Sequence, residues 1–299
     1  MNDNTDSLNR FIFEQLPVRG EIIHLRETFQ AILQQHTYPP AIRRLLGEAL
    51  CVAGLLSAII KFSGRLTLQF QGQGNLKLLL VQCDSEFHMR GLVKWEGDLS
   101  YEALMQTLYD GVLAIMLDAG SNKNRYQGMV TWQGNSLAES IEGYFRDSEQ
   151  LATKICLAVD ERQAAGLLLQ IIPSQEKIQV MEEDMVKLHW ESILKQTNNL
   201  HLPDLLYSDY QTLLRHLFSE EVIRIFSAVP VMFQCTCSRK RSAAAIGLLG
   251  REEAEEELAT HQLIVVTCDF CNKEYTFDKV DVAKIFDEQD HDASSHHLH

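Results

Sequence analysis

Four cysteines near the C-terminus have the types and spacing to do chemistry: Cys235-Thr236-Cys237 and Cys268-Asp269-Phe270-Cys271. Four soft thiolates in two close pairs suit tetrahedral Zn²⁺, and a complete set leaves no open position for a substrate. A CxC joined to a CxxC also puts each pair within reach of its own disulfide, since residues two or three apart can meet disulfide geometry without a large backbone rearrangement. Zinc-bound cysteines are thiolates, the form that attacks peroxides. Apparent zinc-binding energies of about 10–16 kcal/mol in small zinc domains exceed the typical net stability of a domain. Ejecting the metal is therefore expected to unfold the unit, which makes oxidation a folding switch. A purely structural zinc knuckle is the plainer account of a Cys₄ site, and spacing alone does not reject it. Cys51, in an apolar helix, and Cys83 and Cys156, in strands, are expected to be small core side chains.

The elements that must position these cysteines change in texture along the chain. The fold class expected is α+β: a β-rich N-terminal domain with packed helices over 1–178, a helical linker over 179–231, a small C-terminal Cys₄ zinc domain over 232–287, and a disordered tail over 288–299. Phe11–Phe13 and Glu21–Leu25 have strand character, and Pro39-Pro40 introduces a helical run from Ala41 to Lys61. Leu66, Leu68 and Phe70 alternate with polar residues, Gly72-Gln73-Gly74-Asn75 supplies a turn, and Leu76–Cys83 and Phe87–Trp95 complete a meander. A helix is expected over Tyr101–Leu117, a strand over Gln127–Gln133, a helix over Asn135–Ser148, and strands over Lys154–Asp160 and Ala165–Ile172, closed by Pro173.

In the linker, Val186, Trp190 and Leu194 make a narrow apolar stripe on a charged helix, and Ser208 with Gln211 fits a capping box. Ser238 can cap a helix through Leu249, Arg251–Leu258 reads as an acidic helix, Leu263–Thr267 and Glu274–Phe277 as a hairpin, and Asp281–Phe286 as the closing element.

Composition narrows the function. The 299 residues allow two folded units and a linker, and a net charge of −14 argues against non-specific binding to nucleic acid or an anionic membrane. The start, MNDNTDSLNR, lacks the basic and apolar runs of a signal peptide, and Ala49–Ile60 is too short to span a bilayer. The seven cysteines are thus expected to begin reduced in the cytoplasm.

A zinc-ribbon module for nucleic acid finds local support in Arg239-Lys240-Arg241, read more simply as a solvated helix face. For an enzyme, the CxxC does not sit between a strand and a helix as a thioredoxin-type motif should, and Gly72-Gln73-Gly74 lacks the third glycine of a dinucleotide site. His291, His296, His297 and His299 read as a flexible His-rich tail, and Glu182-Glu183 as a solvated helix face.

The run Phe233-Gln234-Cys235-Thr236-Cys237-Ser238-Arg239, with Cys268-Asp269-Phe270-Cys271, Tyr275-Thr276-Phe277 and Asp281, resembles the Hsp33 family of redox-regulated chaperones. A second set, independent of the cysteines, is Tyr126-Gln127-Gly128, Gly134-Asn135-Ser136-Leu137-Ala138, Tyr144-Phe145 and Ser148-Glu149-Gln150, and Gly166–Pro173 looks like the family's end of the N-terminal domain. Lys240-Arg241 departs from the acidic residue followed by Arg expected there. The resemblance implies an ATP-independent holdase and not an enzyme, inactive while reduced with one Zn²⁺ per chain on Cys235, Cys237, Cys268 and Cys271. It implies that oxidation releases the zinc, forms Cys235–Cys237 and Cys268–Cys271 disulfides, unfolds the zinc domain and destabilises the linker. Apolar surface then becomes available to unfolding client proteins, and the oxidised form is expected to be a homodimer.

Overall fold

The computed structural model describes residues 6–97, 100–118, 126–172 and 183–295. The chain divides into two compact units, Met1–Gln234 and Cys235–His299. The first is α+β and rests on two sheets. One contains β1 (Ser7–Phe13), β2 (Val18–Leu25), β8 (Thr153–Val159) and β9 (Ala164–Ile171), with the short strands β10 (Ile223–Ile225) and β11 (Val229–Pro230) both on β1. Its order is β10-β1-β2-β9-β8. The other runs β12-β5-β4-β3-β6-β7, from β3 (Arg65–Gln71), β4 (Leu76–Asp84), β5 (His88–Trp95), β6 (Val112–Asp118), β7 (Tyr126–Val130) and β12 (Met232–Phe233). The expected meander is its β3-β4-β5 core, and the Gly72–Asn75 segment is the turn between the first two strands.

Helix α1 (Glu27–Leu33) precedes α2 (Pro40–Ile59), whose first residue is a proline, where a missing N–H costs nothing. From Ala49 to Ser57 every residue of α2 is buried, because the helix packs on both sheets at once. Gly54 makes this approach possible, since a Cβ there would run into the Ile23 side chain. Asp6 fixes the start of α1: its carboxylate accepts from the backbone N–H groups of Arg26, Glu27 and Thr28 at 2.5, 3.0 and 2.5 Å. Nothing in the spacing around Asp6 announces that long-range cap.

The single helix expected over Tyr101–Leu117 is instead α3 (Tyr101–Asp110) followed by β6. Gly111 ends the helix beside the Phe70 ring, which leaves no room for a side chain, and Leu113 and Ile115 then alternate as buried strand residues beside β3. The next helix, α4 (Leu137–Tyr144), is capped by Ser136, whose Oγ accepts from Glu139 N at 3.2 Å, and gives way to a π-turn over Phe145–Glu149. Pro173 lies outside the described residues.

Both faces of the β1-β2-β9-β8 sheet are apolar. Ile23, Leu25 and Leu168 face α2, whereas Phe11, Phe13, Val18, Ile22, Leu167 and Leu169 point the other way. That second face is covered by α5 (Glu183–Asn198), α6 (Leu202–Tyr207) and α7 (Tyr210–Leu217), which bury Ile193, Leu205, Leu206, Leu213, Leu214 and Leu217 against it. Phe218 meets the Phe13 ring edge-on, with centroids 5.2 Å apart. The chain set apart in the sequence as a linker is thus packed on the sheet where it is described. The cap of α7 is Asp209, accepting from Thr212 N at 2.9 Å, and not Ser208, whose N–H closes α6 on the Asp204 carbonyl. A carboxylate complements the helix N-terminus, and Asp209, immediately before α7, stands at the capping position.

His24 lies under this cover, and its Nε2–H donates to the Leu205 carbonyl at 2.8 Å. Burial lowers the imidazole pKa, opposed by that hydrogen bond and by the negative charge of Asp6. A base depressed in the covered state binds fewer protons there than when uncovered. The His24 contribution to the cover is therefore present above about pH 6.5 and lost as the pH falls below it. Amide exchange in α6 should accelerate between pH 7.5 and 5.5, after correction for intrinsic rates, and this acceleration should shrink in His24→Gln. Equal profiles for the two proteins would remove His24 from the account.

Candidate metal centre

The second unit holds α8 (Arg239–Leu249), α9 (Arg251–His261), the antiparallel hairpin β13 (Ile264–Thr267) and β14 (Glu274–Phe277), and α10 (Lys279–Ser295). Its core is small: Ile246, Ala254, Ile264, Phe277, Val282 and Phe286 are its buried apolar residues among those described. A core of this size rarely stabilises a unit alone. Helix α10 opens on a reciprocal cap, with Asp281 N donating to Asp278 Oδ1 at 2.8 Å and Asp278 N to Asp281 Oδ2 at 3.2 Å. It continues to Ser295, past residue 288 where the sequence suggests a disordered tail. No Gly or Pro interrupts that stretch, so nothing local stops the helix. His296, His297 and His299 lie outside the described residues.

The structure brings the four predicted cysteines together. Cys235 and Cys237 lie in the extended chain before α8, which Ser238 caps by accepting from Arg241 N at 3.3 Å. Cys268 and Cys271 lie in the hairpin turn, where Cys271 N and Asn272 N reach the Cys268 carbonyl at 3.3 and 2.8 Å. Asn272 takes the left-handed conformation that lets the turn close, at φ 51°, and Asn tolerates it better than most residues. All four Sγ atoms lie within 4.8 Å of one another. Between the motifs, Cys235 lies 3.6 Å from Cys268 and Cys237 lies 3.5 Å from Cys271. Four sulfurs about 2.3 Å from a tetrahedral zinc are about 3.8 Å apart, whereas a disulfide needs about 2.05 Å. The cluster is four free thiols with the spacing of a metal cage, and it could hold a metal ion.

The electrostatics fit that purpose. Burial pushes the Cys268 and Cys271 thiols up, and for Cys271 the neighbouring sulfurs add to the effect. Burial also opposes ionisation of Cys237, but hydrogen bonds from Tyr275 and the other cysteines outweigh it and bring that thiol down to about 7. Tyr275 Oη lies 3.3 Å from Cys237 Sγ, and this bond raises the phenol to about 12. Without a cation, crowded sulfurs cannot all ionise, whereas a divalent ion favours the thiolates together. Cys51, Cys83 and Cys156 take no part, and burial raises Cys83 to about 12 and Cys156 to about 11.

The basic triplet read as a solvated helix face does more than that. Arg239 Nη1 donates to the Thr276 carbonyl and Nη2 to Asp281 Oδ2, each at 2.7 Å, with its guanidinium 4.4 Å from the centroid of the Phe277 ring. Arg241 Nη1 turns back to the Thr236 carbonyl at 2.6 Å and its Oγ1 at 2.7 Å, holding the residue between two cysteines. A charge count treats these arginines as surface, because their partners are distant in sequence or folded back. Arg239→Ala should destabilise this unit by about 1–3 kcal/mol, discounted for an exposed ion pair. Hydrogen exchange of β14 should rise with it; unchanged exchange there would show that the contact holds nothing.

A family model described as Hsp33 protein matches residues 6–278. The 33 kDa chaperonin of Nitrosococcus oceani is 41% identical over 287 residues, covering 96% of this chain and 96% of its own. That of Azotobacter vinelandii is 39% identical over 284 residues, covering 94% of each. The crystal structure of the 33 kDa chaperonin from Thermotoga maritima, 24% identical, shares the fold with a TM-score of 0.77 over 95% of this chain and 99% of its own. With its two sheets, its four-cysteine cluster and these relatives, the chain belongs to the Hsp33 family, a family of chaperones and not of enzymes.

Proposed function

We propose that the chain is a redox-controlled, ATP-independent holdase, silent while Cys235, Cys237, Cys268 and Cys271 are reduced around one Zn²⁺ and switched on by their oxidation. The observation that carries this reading is the convergence of four thiols in a unit with so small a core. Zn²⁺, when bound, would hold the sulfurs as thiolates and join the two cysteine-bearing segments. In the oxidative step one thiolate takes an oxygen from hydrogen peroxide and becomes a sulfenic acid; a second thiolate displaces that oxygen to form the disulfide. Two thiolates, one peroxide and two protons thus give one disulfide and two waters.

Which sulfurs pair decides whether this is a switch. Cys235–Cys268 and Cys237–Cys271 bonds would staple the same two segments and keep the unit folded. Cys235–Cys237 and Cys268–Cys271 bonds leave the segments untied, and these are the pairs we propose. Peptide mapping after peroxide treatment should recover the sequence-adjacent pairs; cross-motif pairs would sink the unfolding step.

The client surface in this reading is the sheet face under α5–α7. Gln234 alone separates Cys235 from β12, and β10, β11 and β12 hold the end of the α5–α7 segment on β1 and β5. Unfolding of the cysteine unit frees that end, and helices of this length are marginal without docking. The uncovered apolar face suits unfolded clients and a second copy of the chain, hence a homodimer on oxidation. A cytoplasmic location fits the reduced resting state, and among the described residues no helix is long and apolar enough to cross a membrane.

The decisive experiment compares suppression of client aggregation by the reduced, zinc-loaded chain and the peroxide-treated, zinc-free chain without nucleotide. Activity should appear only in the second, with zinc release tracking the loss of four thiols; equal activity in both would end the switch. Phe218→Ala should weaken the cover by about 3–5 kcal/mol and give measurable holdase activity under reducing conditions. A silent Phe218→Ala with an unchanged response to peroxide would point to a different client surface.

A further inference from the structure

The second set of family-resembling residues has no part in the redox chemistry, yet it converges in space. Tyr126, Tyr144, Phe145 and Glu149 line a cleft of about 380 Å³ between the two sheets, at the C-terminal end of α2. The volume is in the range of small-ligand sites, about 300–1,000 Å³. Its walls are aliphatic or aromatic, from Leu56 and Ile59 on α2, Ile115 and Leu117 on β6, and Phe145 and Leu151 after α4. One cation lines it, Arg19 on β2.

Arg19 Nη1 donates to the Ile59 carbonyl at 3.2 Å and Nη2 to Gln170 Oε1 at 2.5 Å, and both acceptors are neutral. No carboxylate lies within 4.0 Å of it among the described residues. Burial lowers its pKa, and Glu21, two residues along the strand, supplies the opposing negative charge only at longer range. Burial pushes Glu21 itself up, which weakens that charge. A half-buried guanidinium facing apolar walls without a counter-ion is costly unless an anion completes it. Glu149, the carboxylate that also lines the cleft, accepts from the Tyr126 and Tyr144 hydroxyls at 2.6 and 2.8 Å. Its charge disfavours a second anion beside it and directs a head group to Arg19.

We propose that this cleft binds a single-chain amphiphile with a carboxylate head, the head paired with Arg19 and the alkyl chain lying along the half-buried Ile59, Ile60, Leu117 and Leu151. The site lies wholly in the first unit and does not rest on the redox reading.

The test titrates the full chain, under reducing conditions, with decanoate below its micelle-forming concentration, followed by calorimetry. One site per chain is expected, with decan-1-ol and decyltrimethylammonium each weaker by about tenfold or more. Arg19→Met should weaken decanoate by a similar factor. Leu117→Trp should block it by filling the cleft while leaving the guanidinium in place. Thermal unfolding checks that both variants are folded; should either fail, decanoate-induced shifts of the Ile59 and Leu117 methyl resonances in the unmodified chain replace it. Equal affinity for the three head groups, indifference to Arg19→Met, unsaturable uptake or unmoved methyl resonances would each overturn the proposal.

Discussion

A sheet with two apolar faces must be covered twice, and most of this fold follows from that constraint. Phe11, Phe13, Ile22, Leu167 and Leu169 on one side and Ile23, Leu25 and Leu168 on the other alternate along the same strands, so neither face can meet water without loss. The α2 side is secured by a twenty-residue helix wedged between two sheets. The other side relies on three shorter helices bordered by three short strands. One face is therefore built to stay closed, while the other is closed by elements that need their neighbours.

The cysteine unit carries the complementary constraint. Its helices and hairpin have caps, arginine clamps and a small core, but the two cysteine-bearing segments meet only through side chains. The hairpin turn and the chain before α8 are each locally well specified. The Arg239 clamp and the four sulfurs both join them, and of the two it is sulfur that oxidation chemistry can change.

Local signals made much of this legible in advance. The cysteine spacing, the α2 entry at Pro39-Pro40, the β3-β4-β5 meander and the Ser238 cap all rest on contacts between near neighbours in sequence, and the structure has them. Non-local choices were not legible. The apolar run after Tyr101 reads as one helix until the Phe70 ring at Gly111 ends it, and Phe70 is some forty residues earlier. Strands as short as Ile223–Ile225 exist only because β1 offers them an edge. Arg239 shows the same limit at the site: its charge is visible in the sequence, but its partners Thr276, Phe277 and Asp281 are brought to it by the fold.

The pairing of Phe11 with Ile225 has a consequence for how the protein is born. Strand β1 leaves the ribosome early, and the helices that shield its outer face are translated only about 170–210 residues later. At about 5–20 residues per second, β1 and β2 wait on the order of 10–40 s for that cover, most of it before β9 exists to complete the face. Synthesis itself thus passes each molecule through a stage with this apolar face uncovered, and the arrival of residues 183–217 is what closes it.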